Sequence, residues 1–343
     1  MTAPLPEPRE RLLADLLAFV AAPDPGTFDA LAARVVAYQA RALPEYGRLA
    51  ALAPPTGWRD APLVPTDLFR DLDLCSLPGA AATFRTSGTT GVGRRGARRV
   101  PDLRLYDAAM RAPFVAHVLG GDPRPRPWLS LIPTARELPD SSLSHMVSGL
   151  APELATTLTT AMSVEGGLDL DAALRALAGD APLVLLTTGF ALVALLDALP
   201  AAASAPPGSR LMLTGGFKGR SRELSEPEVL DLVAARLGVP PARVVPEYGM
   251  TELTSQAYGR PLAPNPGLRF RVVDPVTLDD LPAGADGLVA CFDLLNLDNV
   301  SAILTGDLGR LDERGRLTLH GRAPDAVRRG CSLTAEEILE RLR

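Results

Sequence analysis

Between Phe84 and Pro261 short apolar runs alternate with stretches in which hydrophobic residues recur every three or four positions. The runs Trp128–Ile132, Leu183–Thr187, Arg210–Leu213 and Arg243–Pro246 predict strands. The periodic stretches predict helices over Tyr106–Leu119, Leu143–Leu150, Leu168–Leu177, Ala191–Leu199 and Glu226–Leu237, and Ser225 followed by Glu228 is a capping box for the last. Such alternation predicts an α/β domain with a largely parallel sheet. After Pro261 the pattern changes to strands alone, Leu268–Val273, Leu288–Phe292 and Leu317–His320, as in a small antiparallel sheet or barrel. Before it, two amphipathic helices are expected up to Tyr46, with Leu12, Leu13, Leu16 and Leu17 on one face, and Pro54 to Pro78 reads as irregular connection. A last short helix, Leu333–Arg343, is expected with Thr334 as its cap and Glu337 three residues on.

Composition narrows the function classes. The 343 residues carry a net charge of −5, which argues against a sequence-independent nucleic-acid binder. Cys75, Cys291 and Cys331 are odd in number and far apart, so they imply neither a disulfide framework nor a zinc site. The start has acidic residues where a secretory peptide needs a basic flank, and the longest apolar stretch, Pro182 to Pro200, is broken by Thr187, Thr188, Gly189 and Asp197. A strand, a turn and a helix account for that stretch better than a membrane span, and a cytoplasmic protein is expected. Of 35 Lys plus Arg, only Lys218 is lysine.

Chemistry concentrates in four places. In Thr86-Ser87-Gly88-Thr89-Thr90-Gly91 small residues leave backbone N–H groups free to wrap an anion, the hydroxyls add donors, and Arg94 and Arg95 add charge, as a polyphosphate requires. Gly91 to Gly96 also fits GxGxxG, but no strand is expected before it and no helix directly after, so a dinucleotide loop is disfavoured. Thr214-Gly215-Gly216-Phe217-Lys218-Gly219 comes after a strand at the carboxyl edge, where α/β sheets place ligands. Glu247 to Glu252, through Tyr248, Gly249 and Thr251, adds an aromatic face and a carboxylate at a neighbouring edge. Thr305 to Arg310, then Gly321 and Arg322, puts a carboxylate and a guanidinium in the all-β part. The histidines say little: His117 lies on an amphipathic helix, His320 ends a strand, and His145 is a candidate to line an acyl channel or simply a core or surface residue.

In that order, SGTTG, YGMTE, TGDLGR and the final GR resemble the core motifs of the adenylate-forming superfamily of acyl-CoA synthetases, adenylation domains and luciferases. The fuller stretches RTSGTTG, LTGGFKGRSRE, EYGMTELTSQAYGRP and RRGCSL resemble the LuxE-type acyl-protein synthetases, from about Phe69 onward. The resemblance implies a large-domain fold of parallel-rich sheets flanked by helices, with a small antiparallel β subdomain near the C-terminus and no full mobile C-terminal lobe. It also implies a division into a helical and connecting segment over 1–80, an α/β nucleotide- and acyl-binding core over 81–260, a β subdomain completing the ATP site over 261–322, and an arm over 323–343. Thr86 to Gly91 would then cradle the ATP phosphates, Gly215 and Gly216 would admit the adenine with Tyr248 stacking on it, and Thr251 would meet the α-phosphate. Glu252 would hold Mg²⁺, Asp307 both ribose hydroxyls, and Arg322 would close over the ribose or phosphate. The substrate implied is a fatty or related carboxylic acid, and the acyl acceptor a partner acyl-CoA reductase.

A departure from the superfamily pattern and a correspondence with it sharpen the expectation. Relatives bring a catalytic lysine on a lobe beyond the GR motif, whereas the 21 residues after Arg322 contain none, which makes Lys218 the candidate to stabilise charge on the α-phosphate, with Arg94 and Arg95 as competitors. Cys331 stands where LuxE-type enzymes carry an acylated cysteine, just after Arg328 and Arg329 and shortly before the expected last helix, and both favour thiolate. Coenzyme A or a carrier protein is the alternative acceptor, and a non-catalytic nucleotide-binding subunit the alternative of another class. Cys75 and Cys291 are expected to be ordinary core thiols.

Overall fold

Residues 7–86, 95–201, 203–215 and 225–323 are described by a computed structural model of the chain. They fall into two units: Met110–Gly249 with Ala257–Leu262, and Met1–Ala109 with Met250–Gln256 and Ala263–Arg343. One division falls within the Glu247–Glu252 stretch, between Gly249 and Met250.

The unit built on Met110–Gly249 contains the expected α/β pattern. Its strands run in the order Ala155–Thr160, Arg126–Ser130, Val184–Thr188, Arg210–Thr214, Val244–Tyr248 and Ala257–Tyr258. All neighbours are parallel except the last pair, Glu247 facing Tyr258 and Tyr248 facing Ala257. Strands buried on both faces read as unbroken apolar runs, which is why the central ones were visible in the sequence. The edge strand Ala155–Thr160 was not expected: Ala-Thr-Thr-Leu-Thr-Thr is largely exposed and has no apolar run, and its β-branched threonines suit an edge. Polar side chains start the helices, Asp169 for Leu170–Leu177, Thr188 for Gly189–Ala198, and Ser225 with Glu228 for Glu226–Leu237, where both halves of the capping box are made. Leu129, Leu185, Leu192, Leu195, Leu211 and Val233 form the core between sheet and helices. The expected helix Tyr106–Leu119 starts at Arg104 and widens into a π-turn at Phe114–Val118, just after Pro113, which has no N–H to continue the regular ladder.

The other unit holds an antiparallel sheet in which Ala302–Leu311 is flanked by Asp286–Asp293 and by Leu317–Arg322, with Leu268–Val273 beyond Asp286–Asp293. Three helices, not two, precede it: Arg9–Ala21, Phe28–Ala42 and Pro44–Leu52. Leu12, Leu13 and Leu16 are buried as expected, beside an aromatic group of Phe28, Trp58 and Phe292 with ring centroids 5.7 to 6.2 Å apart. The proline-rich connection is not wholly irregular, since Val64 and Pro65 pair in parallel with Ile303 and Leu304. Ala82–Arg85 and Ala97–Val100 make an antiparallel hairpin around the glycine-rich stretch. A strand therefore does precede the GxGxxG match, contrary to expectation, but the element after the match is the antiparallel partner of that strand and not the helix a dinucleotide loop needs. The last helix, with Thr334 and Glu337, lies outside the described residues, as does residue 202.

The long strand Ala302–Leu311 is not marked by the sequence pattern because Gly306, Asp307, Gly309 and Arg310 break its apolar alternation. Two motif glycines have plain steric reasons. Gly321 has φ +108°, in the region that favours glycine, and pairs with Leu308 beside a bulge. At Gly309 an added Cβ would lie 2.7 Å from the Thr318 carbonyl oxygen and 2.8 Å from Leu317 Cδ1. Gly309→Ala is therefore expected to lower unfolding free energy by about 2 kcal/mol, as overpacking does, measured by urea denaturation.

Candidate functional site

In the α/β unit the candidate groups stand at the carboxyl ends of two neighbouring parallel strands, where Glu247 is in register with Thr214. The Thr214 hydroxyl donates to the Glu247 carboxylate, which is only 8% exposed. Burial pushes the Glu247 carboxyl up to about 7, against the opposing pull of that hydrogen bond. In the sequence Glu247 is only the first letter of a motif; its burial beside Thr214 comes from strand pairing across 33 residues of chain. Gly215, directly after Thr214, has φ +74° and open space where a Cβ would point. Tyr248 is buried at 9% exposure, while Gly249 is exposed. Gly216 and Lys218 lie outside the described residues.

His117 and Tyr258 stack in the same unit with centroids 5.7 Å apart, and burial lowers the imidazole pKa. His145 is half-buried on the helix Ser142–Leu154.

In the other unit, Asp307 and Arg322 face each other across adjacent antiparallel strands, with Nε 3.2 Å from a carboxylate oxygen. Asp307 is nearly buried and Arg322 mostly exposed. The Asp307 N–H donates to the Thr305 hydroxyl oxygen at 3.1 Å, and that hydroxyl donates to the Val289 carbonyl. His320 lies inside this strand, not at its end, 3.3 Å from Asp286.

Glu252 belongs to the same unit and is 4% exposed. Burial raises its carboxyl to about 7, while its own backbone N–H and the positive charges of Arg322 and Arg98 pull it down. The stretch around it is pinned by a second buried carboxylate: Asp293 accepts the N–H groups of Thr254 and Ser255 and the Ser255 hydroxyl at 2.7 to 2.9 Å. Asn296 donates to the Glu252 carbonyl at 2.8 Å. These anchors come from 293–301, a turn the sequence pattern does not mark because its polar letters, Asp293, Asn296, Asp298 and Asn299, look like those of any exposed loop. They are buried instead.

Thr86 closes the neck of the hairpin. Its hydroxyl oxygen accepts the Gly96 N–H at 3.1 Å, its own N–H donates to the Gly96 carbonyl at 3.0 Å, and Arg95 Nε donates to its carbonyl. Ser87, Gly88, Thr89, Thr90, Gly91 and Arg94 lie outside the described residues, and so does Cys331. Cys291 is buried, as expected, and its thiol is pushed well up by burial; Cys75 is only half-buried, between Leu74 and Ser76, and its pKa is raised for the same reason. Among the described residues no three His, Cys, Asp or Glu side chains come together as a metal cluster, and no helix is long and apolar enough to cross a membrane. One carboxylate, Glu252, fits a hard cation held mainly by phosphates and water, the usual manner for Mg²⁺.

Because the native carboxyl of Glu247 has a pKa above its ordinary 4.5, ionisation disfavours the folded state, and stability attributable to this group falls as pH rises from 4.5 to about 7. Glu247→Gln, which still accepts from Thr214, is expected to match the parent at pH 4 and to exceed it above pH 7 by on the order of 3 kcal/mol, read by urea unfolding at both pH values.

No family model matches the chain, and no curated protein matches it at a significant level. Solved structures do. ATP-bound MatB from Rhodopseudomonas palustris superposes with a TM-score of 0.52 at 22% identity, covering 71% of this chain and 48% of that one. A long-chain-fatty-acid-CoA ligase, FadD1 from Archaeoglobus fulgidus, superposes with a TM-score of 0.51 at 16% identity, covering 74% and 53%. The chain spans about half the length of these structures. What they share with it is the architecture, and the chain has the α/β fold of the adenylate-forming enzymes.

Proposed function

We propose that the protein activates a carboxylic acid with ATP, forming an acyl-adenylate and releasing pyrophosphate. The observation that carries this reading is the pairing of Asp307 with Arg322 across adjacent strands, a nearly buried two-point acceptor beside an exposed cation, in a chain with this fold. Asp307 accepts both ribose hydroxyls, and Arg322 closes over ribose or phosphate. Tyr248 stacks on the adenine, with Gly215 and Gly216 leaving room for it and Gly249 next in the same motif. Thr86 to Gly91, with Ser87, Gly88, Thr89 and Thr90, supply N–H and hydroxyl donors to the phosphates, and Thr251 meets the α-phosphate. Glu252 is the protein ligand for Mg²⁺, which when bound neutralises phosphate charge. Burial raises this carboxyl to about 7, and a bound cation would favour its ionised form.

In the reaction a carboxylate oxygen of the acid bonds to the α-phosphorus as the bond to the bridging oxygen of pyrophosphate breaks. Lys218 stabilises the charge that builds there, the part a preorganised cation plays best. The Cys331 thiolate then attacks the acyl carbon, AMP leaves, and the thioester passes to a cysteine of an acyl-CoA reductase partner. Cys75 and Cys291 do not suit that task, since burial raises both thiols. The substrate class is a fatty or related acid. Coenzyme A is the second candidate acceptor, favoured by the fact that one of the similar structures is a CoA ligase.

Pyrophosphate release, screened across carboxylic acids with intact-mass detection of the protein, tests both halves. An acyl adduct that appears with ATP and acid and is lost in Cys331→Ser is expected; acyl-CoA formation by an unmodified protein would replace the relay by the second acceptor. Lys218→Ala is expected to slow pyrophosphate release by about a hundredfold or more with ATP KM little changed. Asp307→Asn is expected instead to raise ATP KM by about tenfold, the worth of one charged hydrogen bond.

A further inference from the structure

Arg98 is 3% exposed and yet hydrogen-bonds no carboxylate among the described residues. Its Nε donates to Asn299 Oδ1 at 2.9 Å, one terminal nitrogen donates to Asn296 Oδ1 at 2.9 Å and to Thr254 Oγ1 at 2.5 Å, and the other reaches the Thr251 carbonyl at 3.5 Å. All four acceptors are neutral. Asp293, the carboxylate whose charge acts most on Arg98, is already taken up by Thr254, Ser255 and Leu295. Burial lowers the guanidinium pKa, so the fold carries a desolvated cation where an apolar side chain would be cheaper if packing were the only requirement. What an apolar side chain lacks is reach in several directions. The planar fork of Arg98 joins three separate pieces of chain: the Ala97–Val100 strand just after the glycine-rich stretch, the Thr251–Thr254 turn that carries Glu252, and the 296–299 turn.

The 296–299 turn is itself clamped from the helical segment. Gln39 donates to the carbonyls of Asn296 and Asn299 and to Ser301, and Arg9 grips Asp298 at 2.5 and 2.7 Å. Arg98 therefore links the Glu252 turn to a turn that is itself tied to the helical segment.

We propose that Arg98 is a positioning residue for the nucleotide site: it holds the Thr251–Thr254 turn, and with it Glu252, in fixed relation to the Ala97–Val100 strand and the 296–299 turn. The proposal rests on the ligase reading for the identity of the ligand, and on the hydrogen bonds alone for the restraint.

Arg98→Lys keeps the charge but replaces the fork by a single ammonium. Two readouts decide, both below the variant's unfolding temperature. In pyrophosphate exchange, KM for MgATP is expected to rise about tenfold or more while KM for the acid stays at the parent value. In hydrogen exchange on the protein without nucleotide, the amides of Thr254 and Ser255 are expected to exchange about tenfold faster while those of Leu268–Val273 keep the parent rate. A folded Arg98→Lys protein with parental MgATP KM, or with exchange raised equally throughout the unit, overturns the proposal. If Arg98→Lys does not fold, Thr254→Val, which leaves the guanidinium bonded to Asn296 and Asn299, is read in the same two ways with the same outcomes. If the parent exchanges pyrophosphate with no acid, the ligase reading falls, and local hydrogen exchange still decides whether Arg98 restrains the turn.

Discussion

The buried carboxylate of Asp293 is the interaction on which the unit of the antiparallel sheet depends. It stands at the end of the strand Asp286–Asp293, and it accepts backbone N–H groups from Thr254, Ser255 and Leu295 and the Ser255 hydroxyl. These groups would cost free energy if buried without partners, so one side chain satisfies donors from two stretches far apart in sequence. Burial raises the Asp293 pKa while its donors lower it, and the carboxylate is held by hydrogen bonds, not by a contacting countercharge. Asn296 and Asn299 extend the arrangement, and Gln39 ties it to the helix Phe28–Ala42. The consequence is a stretch of irregular chain, 251–256, whose backbone is held by side-chain hydrogen bonds although it makes no ladder.

The two units present their candidate groups in different ways. In the parallel sheet, Thr214 and Glu247 stand at the carboxyl ends of adjacent strands, where side chains and helix starts converge and the chain must turn, hence the positive φ at Gly215. In the antiparallel sheet, Asp307 and Arg322 face each other from within a strand pair, and the bulge at Leu308 and Gly309 sets the local twist. There, Gly309 allows the strands to approach and Gly321 adopts a conformation that other residues resist. The motif glycines are thus partly structural, and they place the motif's charged residues by permitting the backbone to come close.

Much of the α/β unit was readable along the chain. Four of its parallel strands and its helices appeared within a few residues of their ends, because buried strands are continuous apolar runs and caps such as Ser225 with Glu228 act locally. The ordered motifs also named Thr86, Gly215, Tyr248, Thr251, Glu252, Asp307 and Arg322 as candidates. Less was readable where the determining contact was distant: the third N-terminal helix, the Val64–Pro65 pairing, the edge strand Ala155–Thr160 and the glycine-broken strand Ala302–Leu311. None of these has an internal period that dictates it.

What the sequence alone determined is therefore the class of architecture and the identity of the chemical groups, since periodicity, capping and motif order are properties of neighbouring residues. Only the tertiary structure decided which of those groups are buried and what they touch. Arg98 reads as one arginine among many, and Glu247 as one letter of a motif. Their significance comes from desolvation and from partners 33 to 201 residues away. Burial and long-range hydrogen bonding depend on how the chain returns upon itself, and no local pattern records that.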